Sequence, residues 1–213
     1  MKELMVLWTA FLILLVAPAA SLMAAQWVIF DEELHYGNLT VHDGGFEISD
    51  EDAYEGTECL ARELIVGEWA WITGVENMGL DLTGIEFDDA FIEFYIDSGE
   101  VELTYIELRL AGQGWEPDCE NYIQTDGVEG YEQIRVSLSE FVVKSLGIEV
   151  DSLKAFTGGT NRIDRWSIGF SPGGDTTVRV DNLRIADSDE PEQKAVEPGG
   201  KLTTSWAAVK SEL

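Results

Sequence analysis

Short segments in which apolar and polar residues alternate recur along this chain, with turn signals between them. The clearest are Phe91 to Asp97, Glu102 to Leu110 and Gln133 to Leu138. A period of two predicts a strand with one buried face, because successive side chains of a strand point to opposite sides of the sheet. Many such strands, with little helical periodicity, predict an all-β sandwich or barrel.

Further strands are predicted from the same signals. They cover Trp27 to Phe30, Glu58 to Val66, Trp69 to Thr73, Leu153 to Phe156, Trp166 to Phe170 and Val178 to Ile185. The turn signals between strands are Asp43-Gly-Gly45, Ser98-Gly99, Asp126-Gly127 and Pro172-Gly-Gly174. Phe141 to Leu146 is predicted to form a short helical turn.

The N-terminal stretch differs in composition from the β-domain. Leu4 to Val16 is almost wholly apolar, and small residues follow it as far as Ala25. This pattern predicts a secretory signal peptide over residues 1–24, and therefore a secreted or cell-surface protein. An uncleaved membrane anchor is the alternative, although a membrane span needs about 20 apolar residues. The β-domain is then expected over residues 25–187.

Two further segments follow the domain. Residues 188–200 are acidic and rich in Pro and Gly, which predicts a disordered linker. The short C-terminal tail, residues 201–213, regains apolar character, and the spacing of Leu202, Trp206 and Val209 would place them on one side of a helix. We expect the tail to dock on its own domain or on an envelope partner. A frayed terminus is the alternative.

The charge balance excludes two classes of partner. The chain has 13 Lys and Arg against 41 Asp and Glu, a formal net charge of -28. Such a charge repels nucleic acid and anionic membrane surfaces. It is typical of a solvated surface that keeps an exported protein soluble, and some of the carboxylates are available for a divalent cation.

Cys59 and Cys119 are the only cysteines. Export permits a disulfide, and two thiols admit one pairing. Cys59 lies in a predicted strand and Cys119 in a predicted loop, so the sequence leaves open whether they lie close enough to form it. Neither cysteine has a second Cys or a His at zinc-binding spacing. His35 and His42 are the only histidines, and they do not form a zinc-binding motif.

Three segments resemble parts of the β-jelly-roll carbohydrate-binding modules of the galactose-binding-like kind. They are Trp27 to Glu32, Tyr131 to Phe141, and Trp166 to Phe170 followed by the closing strand Val178 to Ile185. Together they span about residues 27 to 187. The resemblance implies a β-sandwich jelly roll, and it implies carbohydrate binding only by analogy, since one fold carries many functions.

The resemblance also implies a structural calcium ion between the first strand, the loop before the second and the last strand. The matching positions are Asp31, Glu55 and Asp181, with Glu32 and Glu58 as spare candidates. Calcium takes oxygen ligands such as carboxylates.

Strand alternation places Asp181 on one face with Leu183 and Ile185, where an unpaired carboxylate is costly. A metal ligand is one explanation for this placement. Capping of backbone amides, or pairing with Arg179 or Arg184, is the alternative.

A glycan-binding site is predicted from the side chains left over once the core faces of the strands are assigned. Aromatic rings stack on the apolar faces of sugars, and polar side chains bind the hydroxyl groups. The predicted ligand-binding residues are Tyr95, Tyr105, Glu107, Arg109 and Arg135, with Trp69, Trp71 and the loop residue Trp115. Tyr95, Tyr105, Glu107, Arg109 and Arg135 are expected on one exposed sheet face. Trp69 and Trp71 share a face of a strand that is expected to border this site, and core packing is the alternative for these two rings. An ordinary solvated face with cross-strand charge pairs is the alternative.

These observations predict an exported, noncatalytic carbohydrate-binding module. A structural or adhesive module of the cell envelope without a small ligand is the alternative, and a small glycan-active enzyme is a third. An enzyme is disfavoured because nucleophile and phosphate-loop motifs are absent. The acidic strand pattern of jelly-roll glucanases begins at Glu86-Phe-Asp88, but Phe91 stands where the second Glu should be.

Overall fold

The computed structural model describes residues 26–35, 38–39, 45–75, 80–112 and 117–187. The predicted signal peptide, linker and tail, as well as His42 and Trp115, lie outside these residues. None of the helices in the described ranges has the length and apolar character needed to cross a membrane.

The described residues form an all-β structure, as predicted. The strands are β1 (Gln26–Phe30), β2 (Asn38–Leu39), β3 (Glu47–Ser49), β4 (Cys59–Leu64), β5 (Ala70–Val75), β6 (Leu80–Asp81), β7 (Phe91–Asp97), β8 (Leu103–Ala111), β9 (Asp118–Thr125), β10 (Glu132–Ser137), β11 (Val142–Val143), β12 (Ile148–Glu149), β13 (Arg162–Ile163), β14 (Arg165–Pro172) and β15 (Thr176–Ala186). One short helix, α1 (Leu153–Thr157), lies between β12 and β13.

The strands form two principal sheets, which pack face to face as a sandwich. The back sheet has the order β10-β7-β15-β4-β3, and β1 also pairs with β15. The front sheet has the order β12-β11-β9-β8-β14-β5-β2. All the pairings in both sheets are antiparallel. The β-sandwich jelly roll predicted from the sequence is therefore confirmed.

The core lies between the two sheets and is built from the alternating strand positions. Ile92, Phe94 and Ile96 of β7 are buried, as are Ile106, Leu108 and Leu110 of β8 and Ile134, Val136 and Leu138 in or just after β10. These predicted core faces are confirmed. Trp166 on β14 is fully buried, and Trp27 on β1 packs against the core.

Three local predictions were wrong. Leu153–Thr157 is helical rather than extended, because the Ser152 side chain accepts a hydrogen bond from the Ala155 N–H and Gly158 ends the helix in the left-handed conformation. Val142 and Val143 form β11, which pairs with β9, instead of a helical turn. Cys119, expected in a loop, lies in β9.

A bulge in β15 changes which residues share a face. Asn182 has a positive φ of 48°, and the register with β7 shifts between Asp181 and Arg184. Val178 and Val180 point into the core before the bulge, and Leu183 and Ile185 do so after it. The predicted face that joined Asp181 to Leu183 and Ile185 is therefore wrong, because the extra residue inverts the alternation.

Cys59 and Cys119 are not joined by a disulfide. Both are buried, Cys59 on β4 of the back sheet and Cys119 on β9 of the front sheet. Burial raises the pKa of both thiols, that of Cys119 to about 12. Both groups are therefore held as neutral thiols at neutral pH.

Candidate functional site

Four aromatic side chains form a continuous band on the outer face of the front sheet. The indoles of Trp69 and Trp71 lie 5.9 Å apart and within 21° of parallel. Trp69 meets Tyr105 edge to face at 4.8 Å, and Tyr105 lies 4.9 Å from Tyr122. Trp69 is 43% exposed and Tyr122 is 41% exposed, so the band presents ring surface to solvent.

Strand register explains why these rings meet. Trp71 on β5 pairs with Gly169 on β14, Gly169 pairs with Glu107 on β8, and Glu107 pairs with Tyr122 on β9. The four residues therefore form one row across the sheet. Three outward residues of β14, Ser167, Gly169 and Ser171, are small, whereas Trp71 of β5 and Tyr105, Glu107 and Arg109 of β8 are large. A trough follows β14 between them.

A row of polar residues lies beside the aromatic row. It runs through Thr73, Ser167, Arg109 and Glu120 in paired positions on adjacent strands. The Arg109 guanidinium donates to both carboxylate oxygens of Asp118.

Lys144 bridges two buried carboxylates of this face. Its Nζ lies 3.0 Å from Glu107 Oε1 and 2.8 Å from Glu120 Oε2. The Tyr122 hydroxyl donates to Glu107 Oε1 at 3.4 Å. The carboxylates are therefore fixed in place by cations and by a phenol.

The charges of this network shift the pKa values of its cations. Burial alone would lower the pKa of Arg109 and of Lys144, but hydrogen bonds to carboxylates outweigh burial and raise both. Asp118 is the main partner of Arg109, and Glu120 and Glu107 are the partners of Lys144. Burial and the hydrogen bond with Glu120 raise the pKa of Tyr122 as well. The front face therefore presents fixed charges and a neutral phenol at neutral pH.

The structure divides the predicted glycan-binding residues between two faces. Trp69, Trp71, Tyr105, Glu107 and Arg109 share the front face, whereas Tyr95 and Arg135 lie on the back sheet. The prediction that Tyr95 and Arg135 share a face with Tyr105, Glu107 and Arg109 is wrong, because the turn between β7 and β8 carries the chain from one sheet to the other.

On the back sheet, Tyr95 is covered by the loop that joins β3 to β4. Tyr54 of this loop stacks on Tyr95 at 3.8 Å and within 11° of parallel. Tyr131 lies 5.5 Å from Tyr54, and its hydroxyl donates to the Asp52 carbonyl at 2.8 Å. Arg135 is exposed, with its guanidinium carbon 3.6 Å from the centre of the Phe91 ring. Tyr95 therefore packs against Tyr54 and is covered by it.

The same loop contains one of the predicted calcium ligands and contacts another. Asp181 is fully buried, and its Oδ2 accepts hydrogen bonds from the N–H groups of Tyr54 at 3.0 Å and Glu55 at 3.1 Å. Its Oδ1 accepts from the Asn182 N–H at 2.7 Å. Asp181 therefore caps backbone amides, which was the alternative explanation for its position, and burial raises its pKa.

The other acidic residues near the first strand have partners of their own. Glu32, one of the two spare candidates, accepts from the Thr57 N–H and hydroxyl, and its carboxylate fills the space that a side chain at Gly56 would need. Asp31 accepts from His35 Nε2 at 2.8 Å. In the described ranges, no three acidic, His or Cys side chains come together as a metal-binding group. The calcium ion implied by the resemblance stays a prediction.

Sequence reasoning missed several residues of the front face. They are Tyr122, Glu120, Asp118, Lys144 and Gly169. The alternation of Cys119 and Ile123 with Glu120 and Tyr122 indicates β9, but its signal is weak because the strand contains few apolar residues. The contact of Gly169 with the front face can be recognised only once the strands that pair with β14 are known.

Comparison with known proteins supports the fold. No protein-family model matches the chain, and no curated protein matches it. Among solved structures, it is similar to a family 11 carbohydrate-binding module of the cellulosomal cellulase Lic26A-Cel5E of Clostridium thermocellum, with a TM-score of 0.50, 12% identity, and coverage of 79% of this chain and 98% of that one.

Two further structures are similar at the same level. A family 30 carbohydrate-binding module has a TM-score of 0.53, 14% identity, and coverage of 87% of this chain and 97% of the module. An exo-beta-agarase has a TM-score of 0.51 and 17% identity over 76% of this chain, but only 25% of the agarase is covered. The chain therefore has the β-jelly-roll fold of carbohydrate-binding modules, and the resemblance seen in its sequence is confirmed at the level of fold.

Proposed function

We propose that this chain is an exported, noncatalytic carbohydrate-binding module that binds a neutral glycan on its front face. The aromatic band of Trp69, Trp71, Tyr105 and Tyr122 is the observation that carries the proposal. The partly exposed rings can stack on the apolar C–H face of a sugar. The row of fixed polar groups beside them can form hydrogen bonds with its hydroxyl groups.

The electrostatics favour a neutral ligand. The front-face network contains three carboxylates, those of Glu107, Asp118 and Glu120, against the two cations Arg109 and Lys144. The formal net charge of the whole chain is -28. An anionic polysaccharide would be repelled on approach, whereas the hydroxyl groups of a neutral glycan can bind both the donors and the acceptors of this network.

The arrangement of the front-face carboxylates supports a noncatalytic role. Glycoside hydrolysis needs one carboxylic acid that carries a proton and a second, ionised carboxylate. Glu107 and Glu120 instead share the ammonium group of Lys144. Both carboxylates are therefore engaged by a cation of the chain itself, as in a network that holds side chains in place for binding.

Alanine variants on the two faces test the proposal. We expect Trp69→Ala and Tyr105→Ala each to weaken binding to neutral soluble glucans, galactans, mannans or xylans by about 1–3 kcal/mol, the range of central aromatic contacts. Affinity gel electrophoresis measures the change. Tyr54→Ala, which removes an exposed ring from the opposite face, is the matched control and should bind like the wild type. Binding to no glycan of this panel, or loss of binding only with Tyr54→Ala, contradicts the proposal.

The calcium ion implied by the sequence resemblance is proposed separately from the front face. An ion bound only by the folded state would stabilise it by mass action. We therefore expect EDTA to lower the melting temperature of the wild type and to leave that of Asp181→Ala unchanged. Asp126→Ala, an exposed carboxylate on another loop, controls for the loss of one charge. Identical wild-type melting curves with and without EDTA would remove calcium from the proposal.

A further inference from the structure

Gly169 lies directly beneath the indole of Trp71. A Cβ atom built on Gly169 would stand 2.6 Å from Cζ3, 2.7 Å from Cε3 and 2.7 Å from Cη2 of that ring. These three atoms are consecutive in the six-membered ring. A point that is almost equally distant from all of them lies over the face of the ring, whereas a point beyond its edge would be much nearer to one. The indole therefore lies with its face on the backbone of β14.

This contact sets the position of the aromatic band. Trp69 is within 21° of parallel to Trp71 and also meets Tyr105 at 4.8 Å. If the indole of Trp71 rises, Trp69 must shift with it. Any side chain at position 169 would have to occupy space that ring carbons now fill, since real Cβ atoms do not approach other atoms to 2.6 Å.

We infer that Gly169 is a positioning residue for glycan binding, acting through Trp71. This inference rests on the proposed function of the front face. The absence of a side chain lets the Trp71–Trp69 pair lie low in the trough along β14, so that a pyranose ring stacks above the sheet with one edge toward Glu107. Glu107 pairs with Gly169 in the register, and Lys144 holds its carboxylate in place. The ligand class is a chain of neutral pyranose units.

Gly169→Ala tests the inference with one methyl group. The φ of Gly169 lies outside the left-handed region, so its backbone conformation suits alanine. We expect the variant to fold, to change the near-ultraviolet circular dichroism of the Trp69–Trp71 pair, and to bind the neutral polysaccharide preferred by the wild type at least about tenfold more weakly. Gly174→Ala, whose new Cβ would meet only Val101 Cγ1 at 3.5 Å, is the matched control and should match the wild type in both measurements.

The double variant Gly169→Ala/Trp71→Ala separates a positioning role from a general structural one. Trp71→Ala removes the three atoms that lie nearest to the new methyl group, so adding Gly169→Ala to Trp71→Ala should leave affinity and melting temperature unchanged. If Gly169→Ala alone does not fold, the inference requires that Trp71→Ala restore folding.

An unchanged dichroism spectrum and affinity in Gly169→Ala overturn the inference, and so does an unfolded variant that Trp71→Ala does not rescue. If the wild type binds no glycan, the proposed function fails and the binding role of Gly169 fails with it. The dichroism comparison still decides whether Gly169 positions Trp71.

Discussion

At the scale of single residues, the tertiary contacts of Tyr95 on the back sheet make the stability of the fold depend on pH. Burial raises the pKa of the Tyr95 hydroxyl to about 12, and a hydrogen bond with Tyr54 adds to the effect. In the unfolded chain the hydroxyl ionises near pH 10. The folded state therefore holds this proton more tightly than the unfolded state does.

The sign of the stability change follows from this difference. The contribution of Tyr95 is complete below about pH 10 and is lost as the pH rises toward 12, because the unfolded state gives up its proton first. We expect Tyr95→Phe to lose less stability than the wild type between about pH 9 and about pH 11. Urea unfolding at the two pH values measures the loss. Equal losses in the two proteins would show that Tyr95 does not titrate as its burial requires.

At the same scale, the sequence indicated which side chains of a strand point into the core, but not which residues of other strands they contact. Alternation gave the inward faces of β7, β8 and β10 correctly, because a strand's period depends on local geometry alone. Lys144 was not recognised as part of the front face. Its partners Glu107 and Glu120 are 37 and 24 positions away, on strands whose pairing no local signal reveals.

Among the elements, β15 depends on one residue with an unusual backbone conformation. Asn182 adopts a φ of 48° at the bulge that returns Leu183 and Ile185 to the core. Asparagine tolerates this region, glycine adopts it freely, and a β-branched residue is strained there.

A matched pair of variants tests this requirement. Asn182→Gly and Asn182→Val both remove the hydrogen bond from Asn182 Nδ2 to Glu55, but only valine adds backbone strain. We expect Asn182→Val to be less stable than Asn182→Gly by about 1–2 kcal/mol, as measured by chemical denaturation. If the two variants are equally stable, the bulge does not require the left-handed conformation.

The bulge also explains an incorrect inference from the sequence. Strict alternation through Val178 to Ile185 puts Asp181 on the face of Leu183 and Ile185, whereas the folded strand places an additional residue between them. The only local signal for the bulge is Asn182, and an Asn can also occur in a regular strand. The bulge lies beside a tertiary contact, because the neighbouring Asp181 accepts hydrogen bonds from the β3–β4 loop.

For the molecule as a whole, the excess of carboxylates predicts a characteristic response to salt. A formal net charge of -28 destabilises the folded state through self-repulsion, and salt screens this repulsion. We expect the melting temperature to rise when NaCl is increased from about 0.05 M to about 0.5 M. Differential scanning calorimetry measures it. A melting temperature that falls with NaCl would contradict this account.

The same salt series tests the neutral-ligand proposal. Affinity for a neutral glycan should change little between the two salt concentrations, because no net charge is brought together. An anionic polysaccharide of similar backbone should bind more weakly, and the difference should shrink at high salt. Tight, salt-sensitive binding of the anionic polymer would instead require a cationic surface on the chain.

The division of strands between the sheets could not be predicted from the sequence for a topological reason. β7 and β8 are separated by one short turn, yet β7 pairs with β10 and β15 while β8 pairs with β9 and β14. Jelly-roll strands pair across long stretches of chain. Neither composition nor alternation indicates which strands pair. The predicted binding residues were therefore wrongly grouped on one face, and their role in binding stays a prediction.

The pairing of β1 with β15 decides how the module is presented to its surroundings. Gln26 lies opposite Ala186, so the described fold is entered and left at neighbouring points of the back sheet. Whatever is attached before Gln26 or after Ala186 therefore holds the sandwich from nearly the same place. Both attachment points belong to the back sheet, whereas the aromatic band lies on the outer face of the front sheet. Reversing the order of the module and its attachment should thus preserve its orientation.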